Sequence, residues 1–215
     1  MLKVHVIPVT QFQQNCSIIW CDETMKGALV DPGGDVGAIL KQVEKRNIKL
    51  EKILLTHGHL DHAGGAEDIR EKLNLPIMGP QKDDKFWLDG IEEQAAKYGM
   101  PGLRCCLPDE WLEDGAIVKV GNVTLKTVHC PGHTPGHLVF YDEVGRIAFV
   151  GDVLFQGSIG RTDFPQGNHD DLINSITKKL WPLGDDISFV PGHGALSTFG
   201  QERKTNPFVA DKNFG

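Results

Sequence analysis

The chain has 215 residues, 40% of them apolar and 24% charged, so it is long enough to bury a core unaided and has no tract biased enough to stay disordered. A formal charge of -7 with no clustering of Lys or Arg lacks the basic surface that phosphate backbones require, and no run approaches the roughly 18 apolar residues of a membrane span. Neither nucleic acid nor membrane is an expected partner, and a cytoplasmic location follows by default.

Met1 to Gln14 alternates apolar and polar residues around Pro8 and reads as a strand, not as a signal segment. Strand-like runs follow at Cys16 to Trp20 and at Gly27 to Asp31, the latter closed by Pro32-Gly33-Gly34. Val36, Ile39, Leu40 and Val43 recur at i, i+3, i+4 and i+7, which predicts a helix with Asp35 as its N-cap. Lys52 to Thr56 is a short strand, Ala66, Ile69 and Leu73 form a helical stripe, and Pro76 to Gly79 returns as a strand. Lys82 to Tyr98 reads as one helix stopped by Gly99-Met100-Pro101, lying as a partial cover over the domain face.

In the second half, Ile117 to Val120 and Val123 to His129 flank Gly121-Asn122 and predict a hairpin. Leu138 to Tyr141 and Arg146 to Val150 repeat the pattern with a longer turn. A helix carrying Leu172, Ile173, Ile176 and Leu180 ends at Pro182, and Ile187 to Val190 is a last strand. No composition break separates the halves, so the expectation is a single α+β domain over residues 1–215, two sheets packed together with helices outside. The five cysteines are odd in number and lack C-x-x-C spacing, which predicts reduced thiols.

The chemistry is concentrated in Thr56-His57-Gly58-His59-Leu60-Asp61-His62. His57 and His59 are two apart and point to one side of an extended segment, while Asp61 and His62 follow in a turn that opens the next helix. His133, Asp152 and His193 also follow strand-like runs, so loops leaving one rim can bring them together. Imidazole and carboxylate without thiolate suit zinc, iron or manganese in an open, catalytic site.

T-H-G-H-L-D-H, then G-H-T-P-G-H from Gly132 to His137, Gly151-Asp152, and P-G-H-G from Pro191 to Gly194 stand in an order that resembles the metallo-β-lactamase fold superfamily from end to end. The resemblance implies a four-layer αβ/βα sandwich and two divalent metal ions, zinc foremost with iron or manganese as alternatives. It places one ion on His57, His59 and His133 and a second on Asp61, His62 and His193, with Asp152 bridging. Asp61 is the implied catalytic residue, orienting the attacking water or accepting its proton.

G-D-V-L-F at Gly151 to Phe155 and G-R-T-D-F-P-Q-G at Gly160 to Gly167 resemble the short glyoxalase II-like, or hydroxyacylglutathione hydrolase, subfamily. That likeness implies hydrolysis of S-lactoylglutathione to glutathione and D-lactate, and so methylglyoxal detoxification, with a glutathione thioester as small-molecule partner. Arg161 stands where the long forms carry a glutathione-contacting Lys, and it is the candidate substrate contact, with pairing to Asp163 as the alternative. The long forms also carry a C-terminal helical region and a Tyr after the last metal His, whereas Gly194-Ala195 follows His193 here. Glu202 to Pro207 either brings Arg203 and Lys204 to the mouth or is a solvated tail.

A mononuclear iron persulfide dioxygenase is the competing reading, its iron on His57, His133 and Asp152; another thioester or ester hydrolase of this fold is a third. A metal-binding module without activity would have lost ligands, and all seven are present. Asp31 is either a buttress of the metal loop or a turn cap. His137 reads as an orienting or strand residue, and His5, His129 and His169 as core or surface residues. Phe86, Trp87 and Trp111 either line a cleft or pack in the core.

Overall fold

A computed structural model describes residues 1–213. The first sheet contains β1 (Leu2–Val9), β2 (Gln14–Cys21), β3 (Lys26–Val30), β4 (Lys49–Leu54) and β5 (Ile77–Met78), in sequence order across the sheet. Its first three strands are antiparallel, and β3, β4 and β5 run parallel. The second sheet is formed by β6 (Ile117–Val120), β7 (Val123–His129), β8 (Leu138–Asp142) and β9 (Ile147–Gly151), followed in space by β12 (Ser188–Pro191) and β13 (Ser197–Thr198). Between them in sequence, β10 (Leu154–Phe155) and β11 (Ser158–Ile159) make a separate small hairpin.

Three apolar clusters explain the layering. Ile19, Ala28, Val30 and Leu54 of the first sheet pack against Val118, Leu125, Phe140, Phe149 and Val190 of the second. Outside the first sheet, Ile39 and Val43 of α1 (Val36–Lys45) and Ile69 of α3 (Ala66–Leu73) cover Ile18, Leu29 and Ile53. Outside the second, Leu172 of α6 (His169–Asn174) and Phe199 of α7 (Phe199–Thr205) cover Val139, Ala148 and Phe189. Helix, sheet, sheet, helix is the αβ/βα sandwich, and each element buries one apolar face as its periodicity requires.

Several local expectations change. Asp35 does not cap α1 with its side chain; it sits in the left-handed region at φ 50°, and its carboxylate accepts the Thr10 N–H at 2.7 Å, tying the β1–β2 turn down. The segment from Lys82 is not one helix but a 3-10 turn, Lys82–Asp84, then α4 (Lys85–Asp89) and α5 (Ile91–Lys97), broken at Gly90. Gly90 costs helix propensity, and the bend lets both Leu88 and Ile91 reach the core. α6 continues as a π-helical stretch, Ser175–Leu180, which keeps Leu172, Ile176 and Leu180 all buried. The segment after Thr198 is no solvated tail: α7 is capped by the Thr198 side chain on the Gln201 N–H.

Candidate metal centre

Four segments carry the predicted donors, each emerging at the end of a strand. The His57–His62 run follows β4, His133 follows β7, Asp152 directly follows β9, and His193 follows β12. Because β9 and β12 are parallel neighbours, Asp152 and His193 leave the sheet at one rim. Asp61 and His62 lie on the one-turn helix α2 (Leu60–Ala63), where side chains turn back toward the preceding histidines.

The structure brings all seven donors into one cluster. His57 Nε2 lies 3.1 Å from His59 Nδ1, which lies 3.0 Å from His133 Nε2. Two nitrogens bound at about 2.0–2.1 Å to one tetrahedral ion stand roughly 3.3 Å apart, so this trio has nearly the spacing of a ligand set. A second trio forms beside it, with Asp61 Oδ2 3.2 Å from His193 Nε2 and 3.8 Å from His62 Nε2. Asp152 stands between the two: Oδ1 is 3.3 Å from His62 Nε2, and Oδ2 is 3.5 Å from His133 Nε2 and 3.7 Å from His193 Nε2.

Two observations fit cations at this cluster. His62 Nε2 and Asp152 Oδ1 are buried and accept no hydrogen bond, a costly arrangement for groups that nothing coordinates. Space is also reserved: a Cβ on Gly192 would lie 2.0 Å from Asp152 Oδ1 and 2.7 Å from His62 Cε1.

The outward nitrogens of four of the five imidazoles are fixed by partners that leave the inward ones free; the fifth, His59, faces the cluster through Nδ1 and its buried Nε2 has no hydrogen-bond partner. His133 Nδ1 donates to the Arg161 carbonyl at 2.7 Å, and His193 Nδ1 to the Phe12 carbonyl at 3.1 Å. His62 Nδ1 donates to Asp31 Oδ2 at 2.9 Å, while His57 Nδ1 meets the Thr56 hydroxyl at 3.0 Å, which itself donates to the same Asp31 oxygen at 2.6 Å. Asp31 is therefore a buttress of this loop. His137 stays outside the set; its Nε2 accepts the Asp152 backbone N–H at 3.1 Å and its ring stacks 4.5 Å from that of His57.

Burial, reinforced by His62 and other neighbouring imidazoles, holds His57 far below the ordinary histidine value, and burial with His133 takes His59 down to about 3. Neutral imidazole is the form that binds metal. Burial opposes charge on Asp152, yet His62, His133 and His193 hold its carboxyl well below the usual range. Burial likewise opposes charge on His62, but Asp152, Asp61 and Asp31 keep it well above the ordinary value.

Arg161 is not drawn into the cluster by its side chain. The guanidinium is exposed, forms a two-point pair with Asp163 at 2.9 and 2.8 Å, and lies 4.5 Å over the Phe164 ring. Arg203 is likewise engaged elsewhere, by Asp211 and Asp185. Trp87 is a buried packing residue, yet its ring stands edge-on to His59 at 4.4 Å, and Phe164 lies 5.1 Å from His59 and 5.7 Å from His133. Phe86 and Trp111 are partly buried, Trp111 against the outer core of the first sheet.

Three supporting groups escaped the sequence reading. The Phe12 carbonyl orients His193, and the Asn15 amide spans that histidine's loop, donating to Pro191 O at 3.0 Å and Gly194 O at 2.9 Å. Asp84 joins the His57–His59 loop to the His133–His137 loop; burial pushes its carboxyl up to about 6 despite the hydrogen bonds from Thr134, Gly136 and Gly58. None carries a local pattern, since each acts across the fold.

An αβ/βα sandwich with clustered imidazoles and carboxylates at its rim defines a class of metal-dependent hydrolases. Residues 9–193 match the metallo-β-lactamase superfamily, and the chain belongs to that superfamily, in its glyoxalase II-like branch. A Haemophilus influenzae protein named hydroxyacylglutathione hydrolase GloC is 46% identical over 213 residues, covering 99% of this chain and all of that one. Among solved structures, the B3 metallo-β-lactamase BLEG-1 superposes with a TM-score of 0.88 at 34% identity, covering 97% of this chain and 99% of that one. The di-iron-bound form of TTHA1623 superposes with a TM-score of 0.87, also at 34% identity, covering 96% and 100% respectively. The protein is a metal-dependent hydrolase.

Proposed function

We propose that the chain is a dinuclear hydrolase of glutathione thioesters that cleaves S-lactoylglutathione to glutathione and D-lactate. His57, His59 and His133 would hold one divalent ion and Asp61, His62 and His193 the other, with Asp152 shared between them. The observation that carries this reading is the convergence of seven nitrogen and oxygen donors in two adjoining sets. Such donors suit zinc, and iron or manganese as well. The relative named hydroxyacylglutathione hydrolase, at 46% identity, supports the substrate.

Bound divalent ions supply Lewis acidity and a water of near-neutral pKa. The residues of the chain do the rest. Asp61 and His193 are the more solvent-exposed members of the cluster, so the thioester approaches from their side. The Asp61 carboxylate orients the attacking water and accepts its proton, and the thiolate departs without needing a strong acid. Arg161 lies one residue's reach from the cluster, because its own carbonyl holds His133, and its exposed guanidinium can exchange Asp163 for a substrate carboxylate. A reducing, cytoplasmic setting goes with this reading, since all five cysteines are unpaired.

The deciding experiment follows loss of the thioester's ultraviolet absorbance for S-lactoylglutathione while metal is counted per chain. Cleavage with two ions per chain is expected. One iron per chain, an intact thioester and oxygen uptake driven by glutathione persulfide would replace the hydrolase by a dioxygenase. Cleavage of simple esters or other thioesters in preference would keep the hydrolase and discard the glutathione substrate.

A further inference from the structure

Asp84 is a fully buried carboxylate at the end of the 3-10 turn that precedes α4. Its partners are three donors from two loops. Oδ2 accepts the Gly58 N–H at 2.9 Å and the Thr134 O–H at 2.7 Å, and Oδ1 accepts the Gly136 N–H at 2.5 Å. Gly58 lies between His57 and His59, and Thr134 adjoins His133. One side chain therefore fastens together the two loops that deliver the three-histidine set.

The surroundings are shaped for this contact. A Cβ on Gly58 would come within 2.7 Å of Trp87 Cβ and 2.9 Å of the Asp84 carbonyl, and one on Gly136 within 2.6 Å of Asp84 N. Both loops thus approach the Asp84 segment more closely than any residue with a side chain allows. The Gln81 N–H donates to the Gly136 carbonyl at 3.0 Å, adding a second tie between the same turn and the His133 loop. Among the described residues no Lys, Arg or His pairs with Asp84, so its charge is met by these hydrogen bonds and not by a cation. A buried carboxylate serving three donors of two ligand loops does what an outer-shell partner does for a metal site: it fixes ligand spacing before the ion arrives.

We propose that Asp84 is a positioning residue that sets the separation of the His57–His59 and His133 loops, and thereby the metal affinity of the three-histidine set. The proposal rests on the reading of that set as a metal site. It predicts a selective defect: the adjoining Asp61, His62 and His193 set is fastened by other groups, Asp31 and the Phe12 carbonyl, and is spared.

The test measures cobalt(II) affinity by competition with a chelating dye in two backgrounds. In His193→Ala the three-histidine set is the intact one, and adding Asp84→Asn is expected to weaken cobalt roughly 10- to 100-fold there. The amide cannot accept from all three donors, since its NH2 must face the N–H of Gly136 or the groups on Oδ2. In His59→Ala the other set is intact, and Asp84→Asn is expected to leave affinity unchanged. Thr134→Val, which removes one of the three bonds, gives a smaller loss in the first background and none in the second, and serves if Asp84→Asn does not fold. Equal losses in both backgrounds, or none in either, overturn the proposal. If His193→Ala alone binds no cobalt while the unaltered chain is folded, the metal reading of the three-histidine set fails, and the positioning role with it. If the unaltered chain binds two ions but leaves thioesters intact, the substrate assignment fails and the role of Asp84 stands.

Discussion

Asp31 Oδ2 lies 2.9 Å from His62 Nδ1 although 31 residues separate them. The carboxylate holds the proton on Nδ1, so that in the neutral ring, the form that binds metal, Nε2 carries the lone pair that faces the cluster. Asp31→Asn is expected to reverse that choice. An amide NH2 in place of Oδ2 would need Nδ1 as acceptor, which moves the ring proton to Nε2. Metal affinity at the Asp61, His62 and His193 set should fall roughly 10- to 100-fold, and activity with it. Unchanged metal content and turnover in the purified variant would refute the role.

Gly192 gives a steric prediction. A methyl group at that position meets Asp152 Oδ1 at 2.0 Å and His62 Cε1 at 2.7 Å, so one of the two must move. Neither is the free end of a flexible chain, since both are held in the cluster. Gly192→Ala should cost about 1–3 kcal/mol in chemical unfolding. A displacement on the order of 1 Å at the reacting centre should lower kcat by roughly 100-fold, well beyond what the stability loss explains. A variant with normal kcat would show that the loop yields without disturbing Asp152.

These contrasts explain what was legible in the sequence. The His57–His62 run is readable because ligand spacing in an extended segment and the turn after it is a local property, and the glycine-flanked His133, Asp152 and His193 follow strands whose patterns are plain. The layers were legible too, because Ile39 and Val43, or Val118 and Val120, announce which face is buried. Asp31 was open to two readings, and Asp84 and Asn15 were silent, because their partners lie 25 to 52 residues away for the two carboxylates and 176 or more for the amide. The break at Gly90 brings both Leu88 and Ile91 into the core, which is a tertiary matter. α7 did carry a local sign: Thr198 followed three residues later by Gln201 is a capping pattern, and Thr198 does accept the Gln201 N–H.

Asp152 lies within reach of both sets, so its loss should not resemble the loss of a ligand to one ion. Asp152→Ala removes the carboxylate that faces His62, His133 and His193 together and leaves those buried imidazoles without it. Both ions are expected to be lost on dialysis and hydrolysis to fall to background. Elemental analysis of the dialysed variant decides the matter: two ions retained per chain would remove Asp152 from the shared position.

Acidification should unfold the metal-free protein well before it unfolds most proteins of this size. His59 is held down to about 3, against an ordinary value of 6.5 in the unfolded chain, and His57, His133 and His137 are lowered as well, in each case first by burial. Between those values the unfolded chain binds protons that the folded chain refuses, so stability falls as pH drops through 6.5 toward 3. Asp152 and Asp61, both held low by His62, act in the same direction, because their ionised forms are favoured in the folded state and stability is lost as they protonate. His62 and His193, raised by the carboxylates, and Asp84, pushed by burial up to about 6, oppose the trend, but they do so as three groups against four imidazoles and two carboxylates of the cluster. Bound metal adds to the same slope, since protons compete for the ligands. Urea unfolding of chelator-treated protein should therefore show the midpoint dropping steadily from neutral pH to about pH 4, with metal-loaded protein more stable at neutral pH and converging on it as metal is released. A midpoint that stays level or rises on acidification would mean that the histidine cluster accepts protons in the folded state, and that burial does not hold the imidazoles neutral.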